Sequence, residues 1–137
     1  RRAYDAGVPL LCGSESGFAI TPYGDWHFRE MGLFTEHLGL TPLQSIACAT
    51  EAGAKIFGLE KEIGCIEVGY IADLVLVAGD LEQDLNLMGQ RDNIRAIFKS
   101  GKKIDLERPI PDSWNIPSWR TGQFANEVLT YELAHRS

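Results

Sequence analysis

One carboxylate in the N-terminal part of the sequence lies where catalytic side chains are often found. Glu15 stands between Ser14 and Ser16, shortly after the apolar run of residues 8–12. A carboxylate in such a place can bind a metal ion or move a proton, and adjacent hydroxyl groups can hydrogen-bond to it. By residue type alone, a Glu in such a loop is most often a solvated side chain, and the two serines are equally well interpreted as ordinary loop residues or helix caps.

Two further side chains are candidates for substrate contact. Tyr23 lies in the loop that follows Glu15, and His27 lies near the start of the next predicted helix, with Trp26 beside it. Packing is the alternative role for each of them. Metal-ligand spacing is absent, because none of the three histidines forms a His-x-His pair and the three cysteines have no ligand pattern.

The elements that must position these residues begin with a strand. Residues 1–6 resemble the last turn of a helix, and Gly7 fits the left-handed position that ends it. The apolar residues 8–12 do not alternate with polar ones, which predicts a parallel strand buried on both faces. Residues 13–24, rich in Gly, Ser and Pro, form a long loop, and long ordered loops are often functional. Gly13 and Gly17 would let the backbone approach the site closely.

Two helices are predicted next. Asp25 is the predicted N-cap of the first helix, and Gly39 is its predicted end. Its apolar face contains Met31, Phe34 and Leu38. The second begins at a Thr-Pro-x-Gln capping box, residues 41–44, and continues to Gly58, with Gly53 weakening its middle.

The sequence becomes β-rich after Gly58. Residues 63–70 indicate short extended pieces with glycine turns, residues 73–77 a strand, and residues 94–104 a hairpin around Ser100 and Gly101. Asp73 is interpreted as a turn or capping carboxylate, and Lys99, Lys102 and Lys103 as a solvated hairpin face. Residues 106–137 are predicted to form an extended, Pro-rich tail with a short helix at 123–133. The tryptophans of this tail, Trp114 and Trp119, suggest that it docks on a surface.

Composition excludes several classes of protein. The net charge of −6 argues against nucleic-acid binding, which needs a basic face. The longest apolar stretch has the length of a strand, so no membrane partner is expected. Three cysteines without a disulfide framework favour reduced thiols in a cytoplasmic protein. At 137 residues the chain is too short for a complete (β/α)8 barrel, which needs roughly 200.

The first strand lacks parallel partners in this sequence. An unpaired strand would expose its faces and edges, so we expect a preceding part of the protein to be missing. The first residue, Arg1 rather than Met, agrees with that expectation.

Several segments together resemble the amidohydrolase superfamily. They are DAGVPL at residues 5–10 with GSESG at 13–17, TPLQSI at 41–46, GCIEVGYIADLVLV at 64–77 and IFKSGK at 97–102. The branch they resemble most contains imidazolonepropionase-like amidohydrolases, including prolidase-like peptidases. The resemblance covers residues 1–105.

The resemblance implies a fold and its divisions. Residues 1–60 would form the last strand-helix unit at the C-terminal end of a (β/α)8, TIM-like barrel. Residues 61–105 would add strands to a small β-sandwich, and residues 106–137 would form the tail. The expected fold class is therefore α/β.

The resemblance also implies chemistry. Members hydrolyse amide and related C–N bonds with one or two divalent metals, of which zinc is the one expected here. Glu15 stands where the family has Asp, so it would be the metal ligand and proton shuttle, with His27 and Tyr23 near the substrate. Most metal ligands would lie outside this chain, which would then be inactive alone. The expected partners are a small amide or dipeptide substrate and further copies of the full-length protein. The alternatives are a non-catalytic binding or assembly module that keeps the fold, and a stand-alone β-rich interaction domain.

Overall fold

The computed structural model describes residues 1–15 and 26–107. Four helices come first along the described chain: α1 (Arg2–Asp5), α2 (Trp26–Leu38), α3 (Pro42–Ala49) and α4 (Glu51–Ile56). Three strands follow, β1 (Leu74–Val77), β2 (Ile94–Lys99) and β3 (Lys102–Lys103). Two short 3-10 helices, Leu85–Gly89 and Arg91–Asn93, connect β1 to β2. The described part is thus α/β with a small sheet, as predicted.

The short first helix ends as the sequence predicted. Gly7 has φ of +80°, and its N–H donates to the carbonyl of Tyr4 at 2.9 Å. The N–H of Val8 reaches back to the carbonyl of Ala3 at 3.0 Å. These two bonds form a Schellman motif, in which glycine takes the left-handed position that other residues adopt only at a cost.

The strand predicted at residues 8–12 is not formed among the described residues. This segment has no β-ladder, and Val8 remains 51% exposed. Its link to the helices is the N–H of Cys12, which donates to the carbonyl of Cys48 at 3.2 Å, at the end of α3. A strand needs hydrogen-bonded neighbouring strands, and no described strand pairs with this segment. Burial on both faces is therefore not seen among the described residues, and burial by neighbouring strands outside them stays a prediction.

The two central helices confirm the predicted boundaries on either side of Gly39. Gly39 has φ of +65°, and the N–H of Leu40 donates to the carbonyl of Phe34 at 3.3 Å. At Thr41 the capping box is complete, because the Thr41 hydroxyl accepts from the N–H of Gln44 and the Gln44 side chain accepts from the N–H of Thr41. The predicted cap Asp25 lies outside the described residues.

The second predicted helix is divided into α3 and α4 at Thr50. The Thr50 hydroxyl donates to the carbonyl of Ile46 at 2.9 Å, four residues back. Such a bond competes with the backbone ladder and often bends a helix. We expected Gly53 to be the weak position, but the break lies three residues earlier. The end at Gly58, with φ of +70°, agrees with the prediction.

The small core lies where α2 crosses α3. Ser45 is fully buried, and its hydroxyl donates to the carbonyl of Met31 at 2.6 Å. Met31 on α2, Cys48 on α3 and Leu40 between the two helices are also buried. Leu85 is buried in the first 3-10 helix, which contacts α2. A small hydroxyl residue at the crossing allows close approach while its polar group stays satisfied.

The three strands form an antiparallel sheet in the order β1-β2-β3. Leu74 pairs with Phe98 and Leu76 with Ala96, with an irregularity between Leu76 and Val77. The predicted hairpin is confirmed: Ser100 and Gly101 have φ of +50° and +76°. Two consecutive positive φ angles are the signature of a two-residue turn that matches strand twist. The short extended pieces with glycine turns predicted at 63–70 form no strand; the segment consists mainly of bends and turns.

Asp73 holds this hairpin turn, as its interpretation as a turn carboxylate predicted. It accepts a hydrogen bond from the N–H of Ser100 at 2.7 Å and an ion-paired hydrogen bond from the Lys99 ammonium. The Lys99 hydrogen bond, followed by the Ser100 bond, lowers the pKa of Asp73 below its usual value. Lys99 is therefore a structural partner as well as part of the solvated face.

Three further expectations concern the β-sandwich, the helix of the C-terminal tail and membrane-spanning helices. The β-sandwich stays a prediction, because the described residues contain a single three-stranded sheet. The tail helix at 123–133 lies outside the described residues. Among the helices at positions 1–15 and 26–107, none is long and apolar enough to cross a membrane.

Candidate metal and substrate site

Glu15 lies at the end of an extended segment whose side chains alternate between two sides. From Leu10 to Glu15, the even-numbered residues are half-buried, while Leu11, Gly13 and Glu15 are exposed. A period of two is what extended backbone produces, even without a strand ladder. The alternation places Glu15 on the side opposite to Cys12 and Ser14.

The backbone of Glu15 is unusual. Its φ is +48°, a left-handed conformation that costs a residue with a Cβ about 1–2 kcal/mol. Such conformations cluster at functional sites. Gly13 behaves differently from our expectation, because its φ is not positive and a Cβ there would meet no atom within 4 Å. Close backbone approach at Gly13 is therefore not seen, and Gly17 lies outside the described residues.

The structure brings His27 and Ser14 together. The Ser14 hydroxyl and His27 Nδ1 are 3.2 Å apart, a hydrogen-bond distance, with the donor set by the histidine tautomer. His27 is the second residue of α2 and is exposed. This contact joins the first turn of α2 to the residue directly before Glu15. Tyr23 and Ser16 lie outside the described residues, so their predicted roles stay predictions, and Trp26 is half-buried.

Sequence reasoning missed Glu30. This residue follows His27 by three positions on α2, so the two side chains share a helix face. Burial first, and then the charge of Glu30 and the neighbouring Cys48, raise the pKa of Cys12 to about 12. The Cys12 thiol therefore stays protonated at neutral pH. The spacing of three between a histidine and a carboxylate was the available signal.

The described residues offer fewer grouped donors than a bound metal ion needs. Among residues 1–15 and 26–107, no three His, Cys, Asp or Glu side chains are grouped so that they could hold a metal ion. Structural zinc takes four ligands, and catalytic zinc generally three from protein. Glu15 fits as one carboxylate ligand of such a site, and the described residues do not supply the others.

An open groove of about 390 Å³ lies elsewhere, between residues 4–10 and the helices α3 and α4. Pro9, Leu10, Ala47, Cys48 and Ile56 are among its lining residues, and Glu15 and His27 are not. The groove is therefore separate from the candidate site.

Comparison with known proteins decides the family. Residues 1–104 match the family described as "Amidohydrolase family". This chain belongs to the amidohydrolase family. The predicted superfamily is confirmed, and so is the imidazolonepropionase- and prolidase-like branch.

Relatives and solved structures agree on this branch. An imidazolonepropionase from Symbiobacterium thermophilum is 35% identical over 78 residues, which are 57% of this chain and 18% of that protein. A proposed prolidase from Bifidobacterium longum superposes with a TM-score of 0.71 at 25% identity, over 95% of this chain and 30% of the other. A Xaa-Pro dipeptidase with bound methionine in its active site gives 0.66 at 28% identity, over 76% and 24%. The amidohydrolase chain thus spans about a fifth of the curated relatives it matches.

Proposed function

We propose that this chain is the C-terminal part of a metal-dependent amidohydrolase that hydrolyses C–N bonds in a small amide, dipeptide or cyclic amide. The relatives named above as imidazolonepropionase and Xaa-Pro dipeptidase support this class of substrate. The observation that carries the proposal is Glu15, which follows an extended segment directly and has a left-handed backbone. Enzymes with barrel folds place their catalytic groups at such segment ends.

The proposal also explains the uncovered segment at residues 8–12. In a (β/α)8 barrel this segment would be the last strand, with neighbouring strands on both sides. Its half-exposed Val8 and the adjacent apolar groove would then be covered by the remainder of the barrel. The small sheet would likewise join further strands of a β-sandwich. The 137 residues alone would then lack most of the metal ligands and would be inactive.

Glu15 is the proposed metal ligand and proton shuttle. When bound by Glu15 and by ligands outside the described residues, a divalent metal such as zinc would supply Lewis acidity toward the scissile carbonyl. The Glu15 carboxylate takes a proton from the attacking water on one oxygen and delivers it to the leaving nitrogen. His27 and Tyr23 are the proposed substrate contacts, and Ser14 orients His27 through their hydrogen bond.

The length of Glu15 matters for this role. Glu carries one methylene more than the Asp expected from the family, which moves its carboxylate by about 1 Å. A misplacement of that size can cost about 10²-fold in rate. We propose that the left-handed backbone at Glu15 compensates by redirecting the side chain.

The test is hydrolysis by the full-length protein that carries this chain. The purified cytoplasmic protein, including any oligomer that it forms, is incubated with a panel of dipeptides and cyclic amides before and after treatment with a metal chelator. We expect hydrolysis of at least one of these substrates, its loss on chelation and its return when zinc is added. Absence of hydrolysis across the panel, with the fold intact, would favour the non-catalytic binding or assembly module instead.

A further inference from the structure

Glu30 has a buried carboxylate oxygen that the described residues leave without a partner. Its Oε2 is shielded from solvent, and no described donor lies within hydrogen-bond distance. An unpaired buried acceptor is costly, so such a group requires an explanation. Packing does not provide one, because an apolar side chain would fill the same space without that cost.

The location of Glu30 supplies the explanation. It lies one helical turn after His27, on the same face of α2. His27 contacts Ser14, and the charge of Glu30 acts on Cys12. Cys12 and Ser14 are the half-buried residues of the extended segment, and Glu15 follows on its exposed side. The same helix face therefore carries a histidine that contacts Ser14 and a carboxylate whose charge acts on Cys12, and these two alternate residues precede the candidate catalytic carboxylate.

We propose that Glu30 is a positioning residue that, together with the His27–Ser14 hydrogen bond, fixes the backbone of residues 12–15 and so the place of the Glu15 carboxylate. This inference rests on the function proposed for Glu15. Glu30 acts through its charge near Cys12 and through the α2 face that it shares with His27, and not by binding substrate or metal. Its buried Oε2 accepts a hydrogen bond from an N–H or O–H donor of the complete protein.

This role predicts a particular kinetic effect. Loss of the Glu30 acceptor lets residues 12–15 shift, and a shift near 1 Å at a reacting group can reduce the rate by about 10²-fold. Because Glu30 contacts no substrate, the change falls on kcat and leaves KM within about threefold.

The experiment compares Glu30→Gln with Glu36→Gln in the full-length protein. Both residues lie on α2, and Glu36 is exposed, with a side chain 56% accessible. Each exchange keeps the size of the side chain, so both variants should fold. We expect kcat to fall between about 10-fold and 100-fold in Glu30→Gln and to stay unchanged in Glu36→Gln, with similar urea midpoints.

Equal kcat values for the two variants would overturn the inference, and so would a lower urea midpoint in Glu30→Gln with unchanged kcat. If Glu30→Gln fails to fold, Cys12→Ala removes the thiol on which the charge of Glu30 acts and must reduce kcat in the same way. If the wild type hydrolyses nothing, the proposed function fails separately. Crystal structures of the wild type and of Glu30→Gln then test the positioning role of Glu30. Loss of the 3.2 Å Ser14–His27 contact, or of the positive φ at Glu15, in the variant supports that role. Unchanged residues 12–15 in the variant refute it.

Discussion

Gly64 should be among the least replaceable residues of the described chain. It has φ of +90°, and a Cβ added to it would lie 2.9 Å from Ala54 Cβ and 3.1 Å from the carbonyl oxygen of Thr50. Neither atom is the end of a flexible side chain. The turn at Gly64 therefore packs directly against the junction of α3 and α4, and only glycine fits there.

The cost of Gly64→Ala has two parts. An L-residue in a left-handed conformation loses about 1–2 kcal/mol. Inserting a methyl group into a filled space costs about 1–3 kcal/mol. The free energy of unfolding should therefore fall by about 2–5 kcal/mol.

Gly69→Ala is the matched control. Gly69 lies in the same segment with φ of +95°, but a Cβ there would meet no atom within 4 Å. It should lose only the conformational part, about 1–2 kcal/mol. Urea titration of both variants in the full-length protein measures the difference, provided that the slope with urea is unchanged. Equal losses in the two variants would refute the close packing of Gly64 on the helix junction.

Two further predictions concern polar contacts that hold the described elements together. Ser45→Ala removes the hydrogen bond to the Met31 carbonyl at the crossing of α2 and α3 and should cost about 1 kcal/mol in urea titration; an unchanged midpoint would show that the bond contributes nothing. Asp73→Asn removes the carboxylate whose pKa Lys99 lowers, so wild type should be more stable than the variant at neutral pH. Because the folded pKa lies below the unfolded value of 3.8, this advantage is complete above that value and disappears as the pH falls through the folded pKa; an advantage that persists at pH ~1 would contradict the assignment.

Local signals in the sequence predicted the described elements best. The capping box at Thr41 and Gln44, the glycine at position 39 and the Ser100–Gly101 turn each act through atoms within a few residues, so the sequence contains all the information they need. The break between α3 and α4 at Thr50 was missed because no Gly or Pro stands at this position. The Thr50 hydroxyl donates to the carbonyl of Ile46 and so competes with the backbone hydrogen bonds of the helix.

The site was predictable only in part. Glu15 was proposed from its place after an apolar run, and that role stays a prediction; its left-handed backbone cannot be seen in the sequence. Residues 8–12 were predicted as a buried strand from their composition, and a strand depends on neighbours that no described residue provides. Glu30 was missed because the burial of its Oε2 and the effect of its charge on Cys12 are properties of the folded chain.

The kcat of Glu15→Gln in the full-length protein tests the central claim most directly. The exchange keeps the size of the side chain but removes the negative charge and the second carboxylate oxygen that the proposed metal ligand and proton shuttle needs. We expect an unchanged fold by circular dichroism and a kcat reduced by about 10²-fold or more. Glu15→Asp, tested beside it, shows whether the shorter carboxylate works better at this backbone position. A Glu15→Gln variant that turns over substrate at nearly the wild-type rate would contradict the assignment of Glu15 as the proton shuttle.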